Sequence, residues 1–255
     1  MVDLYTRVRG EKGPWLVMLH GLFGSGDNLG GLVRVLEQNY RILLVDLRNH
    51  GRSPHAPTMT YGEMAQDVFA AMDRHDIKQA AIFGHSMGGK VAMTMALSDA
   101  SRVSKLVVGD IAPVPYGGHH DRILDGLQAV AVAAPRSRAE AQSILNEYVD
   151  EAGVLSFLMT NWRRQADESW GWRINLNAIV CRYGDIAAGM EDGSYTGPVL
   201  FLRGGNSDYI QATHRDRILE LFPAATVKTI GGTGHWLHSE KPDMVARSVK
   251  NFLEQ

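Results

Sequence analysis

Between Gly84 and Val91 the chain reads GHSMGGKV, and the residue types in it suit two unrelated chemistries. As G-x-S-x-G it is a nucleophile elbow, with Ser86 presented on a sharp turn between a strand and a helix. As G-x-x-x-x-G-K it is most of a phosphate-binding loop, with Lys90 as the phosphate ligand. The later run KLVVGD would then supply a magnesium-holding carboxylate at Asp110. The loop reading fails at one position. A hydroxyl must follow the lysine to ligate the ion, and Val91 stands there instead. The elbow reading uses every residue. Gly84 and Gly88 flank Ser86 where neighbouring chain comes too close for a side chain, and the N–H of Met87 is placed to donate to an oxyanion. A glycine-rich turn whose serine merely caps a helix would match the same five residues, so the partners decide.

Those partners are present. LHGLFGS, Leu19 to Ser25, follows an apolar run and offers the second oxyanion donor, the N–H of Leu22 or alternatively of Phe23. His20 in the same loop is expected to shape it by hydrogen bonding. GGTGHW places His235 in a glycine-rich loop after the last strand, within reach of the elbow. Two carboxylates compete to orient it. Asp208 sits in the turn GGNSD, the commonest location for the acid in this architecture. Asp110 ends an apolar run, where a buried carboxylate requires a partner. Both lie on neighbouring strands, and strand spacing alone leaves the two open. Other histidines do not form a metal site by spacing. His119 and His120 are adjacent and diverge on a helix, while His235 and His238 span a loop, so all four are read as non-ligands. His238 is expected to be structural or to tune His235.

These residues need a scaffold that brings distant segments to one edge. LYTRV, WLVMLH, RILLVD, AAIFGH, KLVVGD, PVLFLR and ATVKTI read as strands, several of them apolar throughout, as in a parallel sheet covered on both faces. Between them, 28–37, 61–75, 90–99, 213–221 and 241–253 read as helices, the last with Ser239 as its N-cap and Pro242 in its first turn. The alternation predicts a doubly wound, mostly parallel α/β fold. From Pro113 to about Gly197 no parallel strand stands out, and DRILDGLQAVAVAA, RAEAQSILNEYV, GVLSFLMTNW and RINLNAIVCRY read as helices. A block that long is an insertion and not a loop. The expected division is therefore a core of 1–112 and 197–255 with a helical cap at 113–196. Trp162, Trp170 and Trp172 fall in the cap, either packing it onto the core or lining an apolar pocket.

Composition narrows the setting. Over 255 residues, 26 basic and 28 acidic side chains nearly cancel, which disfavours a nucleic-acid or acidic membrane partner. Cys181 is the only cysteine, so no intrachain disulfide forms, as suits a reducing cytoplasm. Charges in MVDLYTRVRG argue against a signal peptide, and no apolar run reaches the ~18 residues of a membrane span. The expectation is a cytoplasmic protein of undetermined oligomeric state.

HGLFGS, DLRNHGRS, GHSMGGK, DIAPV, GGNS and GHW occur in this order and together resemble the YbfF-type esterases, bacterial α/β-hydrolases akin to an animal mitochondrial family. The resemblance runs from Trp15 to the C-terminal helix. It implies an α/β-hydrolase fold and a serine esterase for small to medium acyl esters, or for thioesters such as acyl-CoA. It places the acid in DIAPV, at Asp110, and implies no cofactor and no metal. Arg48 and Ser53 of DLRNHGRS are then expected to brace the site. The expected acyl pocket is lined by Phe23, Phe157, Leu158, Trp162 and Trp236. A ligand-binding protein on the same fold is the non-enzymatic alternative, but such a receptor usually lacks part of the triad, and this sequence keeps all of it.

Overall fold

The computed structural model of the chain describes residues 1–118 and 120–255; His119, set aside above as a metal ligand, lies outside the described residues. The main sheet is formed by β1 (Thr6–Arg9), β2 (Trp15–Leu19), β3 (Arg41–Val45), β4 (Ala80–His85), β5 (Val103–Gly109), β8 (Val199–Gly204) and β9 (Ala225–Ile230). Its order is β1-β3-β2-β4-β5-β8-β9, and every pairing is parallel except that of β1 with β3. The apolar runs explain the centre. All six residues of β4 are buried, as are four of five in β2, because helices cover both faces. One core packs Val17, Ile82, Leu106 and Val108 on one face, and the other packs Leu16, Met18, Phe83 and Val107. Parallel strands carry their C-terminal ends to one edge. The residues after β2, β4, β5, β8 and β9 therefore meet there, although they lie more than 200 positions apart in sequence.

The helices over the sheet are α1 (Gly30–Leu36), α2 (Tyr61–Arg74), α3 (Met87–Ser98), α9 (Arg215–Leu221), α10 (Leu237–Glu240) and α11 (Pro242–Leu253). Thr60 and Glu63 form a capping box at the start of α2. The expected cap at Ser239 is not there. Ser239 lies inside the short α10, Lys241 occupies the N-cap position of α11, and Pro242 takes its first helical position.

Between β5 and β8 the chain forms α4 (Asp121–Ala133), α5 (Arg138–Leu145), α6 (Ala152–Met159), α7 (Leu176–Cys181) and α8 (Tyr183–Ala187). A small antiparallel hairpin, β6 (Trp162–Arg164) with β7 (Trp170–Trp172), stands where the helical reading of GVLSFLMTNW ran too far. The two legs of the segment are joined where they meet the core. Tyr116 N–H donates to Ala187 O at 2.8 Å, and Lys90 Nζ on α3 donates to Val114 O at 3.0 Å and also to Ala188 O.

Candidate active site

Ser86 joins β4 to α3 with φ 53° and ψ −121°, a backbone conformation that L-residues seldom adopt. The turn is possible because nothing projects from its flanks. A Cβ on Gly84 would stand 2.1 Å from Gly88 O, and one on Gly88 would stand 2.5 Å from His20 O. The strained turn lifts Ser86 Oγ to the sheet edge. As the first residue of α3, Met87 keeps an N–H without an intrahelical partner, at the positive end of the helix dipole. Neither the Leu22 nor the Phe23 N–H is taken by a backbone carbonyl among the described residues. Phe23 has φ 63°, and its own carbonyl accepts from Asn161 Nδ2 at 2.7 Å.

His235 Nε2 lies 3.0 Å from Ser86 Oγ, and His235 Nδ1 lies 2.8 Å from Asp110 Oδ2. A carboxylate accepts, so Nδ1 carries the proton and Nε2 presents its lone pair to the Ser86 hydroxyl. Asp110 is fully buried and has φ 48°. Its oxygens accept from the Gly204 N–H at 2.8 Å, from Ser207 Oγ and from His235, which satisfies a carboxylate that would otherwise be costly to bury. Asp208 is exposed, and its side chain has no hydrogen-bond partner among the described residues. Gly204 and Ser207, which hold Asp110, are not among the residues expected from the sequence, although GGNSD contains both. Nor is Tyr209, whose ring stacks on His235 at 3.9 Å.

Around this constellation the imidazoles are buried. His85 Nε2–H donates to His235 O at 2.8 Å, which ties the elbow to the loop holding His235. The His238 ring packs 4.2 Å from that of His85. In the β2 loop, Leu47 N–H donates to His20 Nε2 at 3.0 Å, so Nδ1 of His20 carries the proton and donates to Gly21 O at 2.8 Å. Arg48 donates to Asp67 at 2.7 Å, and Ser53 Oγ donates to Asp46 O. These two side chains brace the loop at a distance from Ser86.

Burial pushes His85 and His20 below the usual imidazole range, and pushes His50 and His238 down to about 3. A folded-state pKa lower than the unfolded one means that the unfolded chain binds more protons below pH ~6.5. Stability is therefore complete above that pH, and for His50 and His238 it is lost progressively between ~6.5 and about 3. Each contributes a slope of about 1.4 kcal/mol per pH unit within the window. Melting temperature measured against pH is expected to fall below pH ~6.5, and His50→Phe is expected to flatten that fall.

A cavity of about 370 Å³ opens beside Ser86 and His235, lined by Phe23, Leu29, Val154, Phe157, Leu158 and Trp236 among others. A second cavity, of about 30 Å³, also touches Ser86 and is walled by Met87, Lys90, Tyr116 and Ile186. Phe23, Phe157, Leu158 and Trp236, expected from the sequence to line an acyl pocket, line the larger cavity. Trp162 does not. It is 2 % exposed, pairs with Trp172 across the hairpin and packs edge-to-face on it at 4.9 Å. Its helix ends at Met159, and the strand that follows turns the indole into the packing of the hairpin. Among the described residues no group of three or more His, Cys, Asp or Glu side chains is arranged to hold a metal ion.

Comparison with known proteins adds independent findings. Residues 14–125 match the α/β-hydrolase fold family. The chain is 40% identical over 239 residues to Esterase YbfF of Escherichia coli, covering 93% of this chain and 92% of that one. It is 39% identical over 249 residues to the sn-1-specific diacylglycerol lipase ABHD11 of Mus musculus, covering 94% of this chain and 81% of the other. A solved marine microorganism esterase superposes with a TM-score of 0.96 at 36% identity, over 99% of this chain and all of that one.

Proposed function

The chain belongs to the α/β-hydrolase family as a carboxylic ester hydrolase of the YbfF type, and from that premise we propose that Ser86, His235 and Asp110 are its catalytic triad. The observation that carries the proposal is the unbroken chain of contacts from Ser86 Oγ to His235 Nε2 at 3.0 Å and from His235 Nδ1 to Asp110 Oδ2 at 2.8 Å. Ser86 Oγ attacks the ester carbonyl while His235 takes its proton, and Asp110 holds the imidazole in the required tautomer. The N–H groups of Met87 and Leu22 stabilise the oxyanion. Leu22 is preferred to Phe23 because Leu22 lines the junction of both cavities with Ser86. The alcohol leaves, and water deprotonated by His235 releases the acid from the acyl-enzyme. A fluorophosphonate probe is expected to label one site, on the peptide containing Ser86; labelling elsewhere would overturn the assignment.

In this reading residues 113–196 form a cap over the core of 1–112 and 197–255, and Phe157 and Leu158 on α6 supply apolar wall to the larger cavity. Phe157→Ala and Leu158→Ala are expected to shift chain-length preference across a series of alkyl acetates of graded alcohol length, in steps of about 1–3 kcal/mol per methylene, with turnover of the smallest esters retained. Trp162→Phe is expected to leave that preference unchanged. A simple ester is favoured over an acyl-CoA thioester, since Arg122 is the one Arg or Lys among the described residues lining the larger cavity, and it is paired with Asp150 at 2.6 Å. A parallel screen of acyl-CoAs tests this. The reading sets the enzyme in a reducing compartment such as the cytoplasm, without nucleic-acid or membrane partners, on the strength of a single cysteine and nearly balanced charge.

A further inference from the structure

We propose that an ester meets Ser86 with a short acyl group in the small cavity and its alcohol chain in the large one, which makes the enzyme selective for short-acyl esters of apolar alcohols. The inference rests on the triad reading given above. Ser86 and Leu22 line both cavities, so the carbonyl under attack lies at their junction. His235 lines the large cavity and does not line the small one.

Proton transfer then distinguishes the two arms of the ester. The bond from Ser86 Oγ to the carbonyl carbon forms, and the bond from that carbon to the alkoxide oxygen breaks. The proton that His235 Nε2 accepted from Ser86 passes to the departing alkoxide, whose oxygen must stand within hydrogen-bond reach of Nε2. The alcohol therefore lies on the side of His235, in the cavity of about 370 Å³. The other substituent of the carbonyl carbon points away from His235, past Met87 and Ile111, into the small cavity.

Size and rigidity set what that cavity accepts. About 10–15 Å³ holds one water, so about 30 Å³ holds two or three heavy atoms counted from the carbonyl carbon, an acetyl or propionyl group. The walls cannot yield by simple side-chain rotation. Lys90, 1 % exposed, donates to Val114 O and Ala188 O. Tyr61 OH donates to Ile186 O at 2.6 Å, and Tyr116 N–H donates to Ala187 O at 2.8 Å. A longer acyl chain would have to break these bonds inside the protein, where no water replaces them.

Two isomers test the orientation, octyl acetate and methyl nonanoate, which share one composition and differ in which arm is long. The wild-type protein is expected to show kcat/KM at least tenfold higher for octyl acetate; equal or higher kcat/KM for methyl nonanoate would overturn the proposal. A second arm uses Ile186→Ala, which enlarges the small cavity without touching Ser86, His235 or Asp110. Rejection of an extra methylene by an apolar pocket ranges over about 10- to 200-fold, so this variant is expected to raise methyl butanoate relative to methyl acetate at least tenfold. An unchanged ratio would overturn the proposal. Turnover of p-nitrophenyl acetate in the same preparations separates the two possible failures. Its loss strikes the triad reading, whereas its presence with the wrong isomer preferred strikes the orientation alone.

Discussion

Ser86→Ala is expected to lower kcat on any ester the enzyme cleaves by about 10⁶, the scale seen when a triad nucleophile is removed. The magnitude follows from what remains. Alanine has no oxygen to attack with, and His235 alone activates only a water that the site does not position. The oxyanion donors and the cavities survive, so a residual rate above that in water is expected. The fold should survive as well, because a methyl group fits where the hydroxymethyl stood and the turn is shaped by Gly84 and Gly88. Steady-state kinetics beside a thermal melt checks both points. Activity within tenfold of wild type in a folded variant would remove Ser86 from the mechanism.

The second large effect is expected at Asp110. Asp110→Asn should cost about 10⁴ in kcat, as loss of the orienting acid does in other triads. Asparagine preserves shape and still accepts from the Gly204 N–H, so the fold has little reason to change. Its amide, however, can turn a donor toward His235 Nδ1. The imidazole then moves its proton to Nε2, where it faces Ser86 Oγ with nothing left to accept. Asp208→Asn, at an exposed turn position, is expected to change kcat by less than threefold. Paired kinetics on the two variants decides, and the reverse ranking would give the role to Asp208.

Much of this was readable wherever the cause is local. Gly84 and Gly88 are glycines because a Cβ at either place collides with backbone, and that collision is written into a five-residue motif. The central strands are apolar because both faces are covered, so their burial appears directly in WLVML and AAIFGH. Other features depend on contacts that no window of sequence contains. Trp162 and Trp172 belong to strands of three residues each, too short to show a period, and the apolar run before them reads on as helix. Lys90 looked like a phosphate ligand because its spacing from Gly84 is local, while the carbonyls it serves lie 24 and 98 positions away. Asp110 stood beside a rival because its three donors come from Gly204, Ser207 and His235, and only the folded sheet brings them together.

The grip of Lys90 on Val114 and Ala188 bears on how substrate gets in. In the proposed reading of 113–196 as a cap, a cover that swings like a door needs two free hinge segments, and here both are bolted to the helix that follows Ser86. Releasing the bolt would leave a buried ammonium beside the rings of Tyr61 and Tyr116 without its two carbonyl acceptors, which is costly. Substrate traffic is then expected away from the hinge, at the far rim where Ile123 on α4 and Val154, Phe157 and Leu158 on α6 line the larger cavity. Breathing of that rim can admit an ester while the frame around Ser86 stays still.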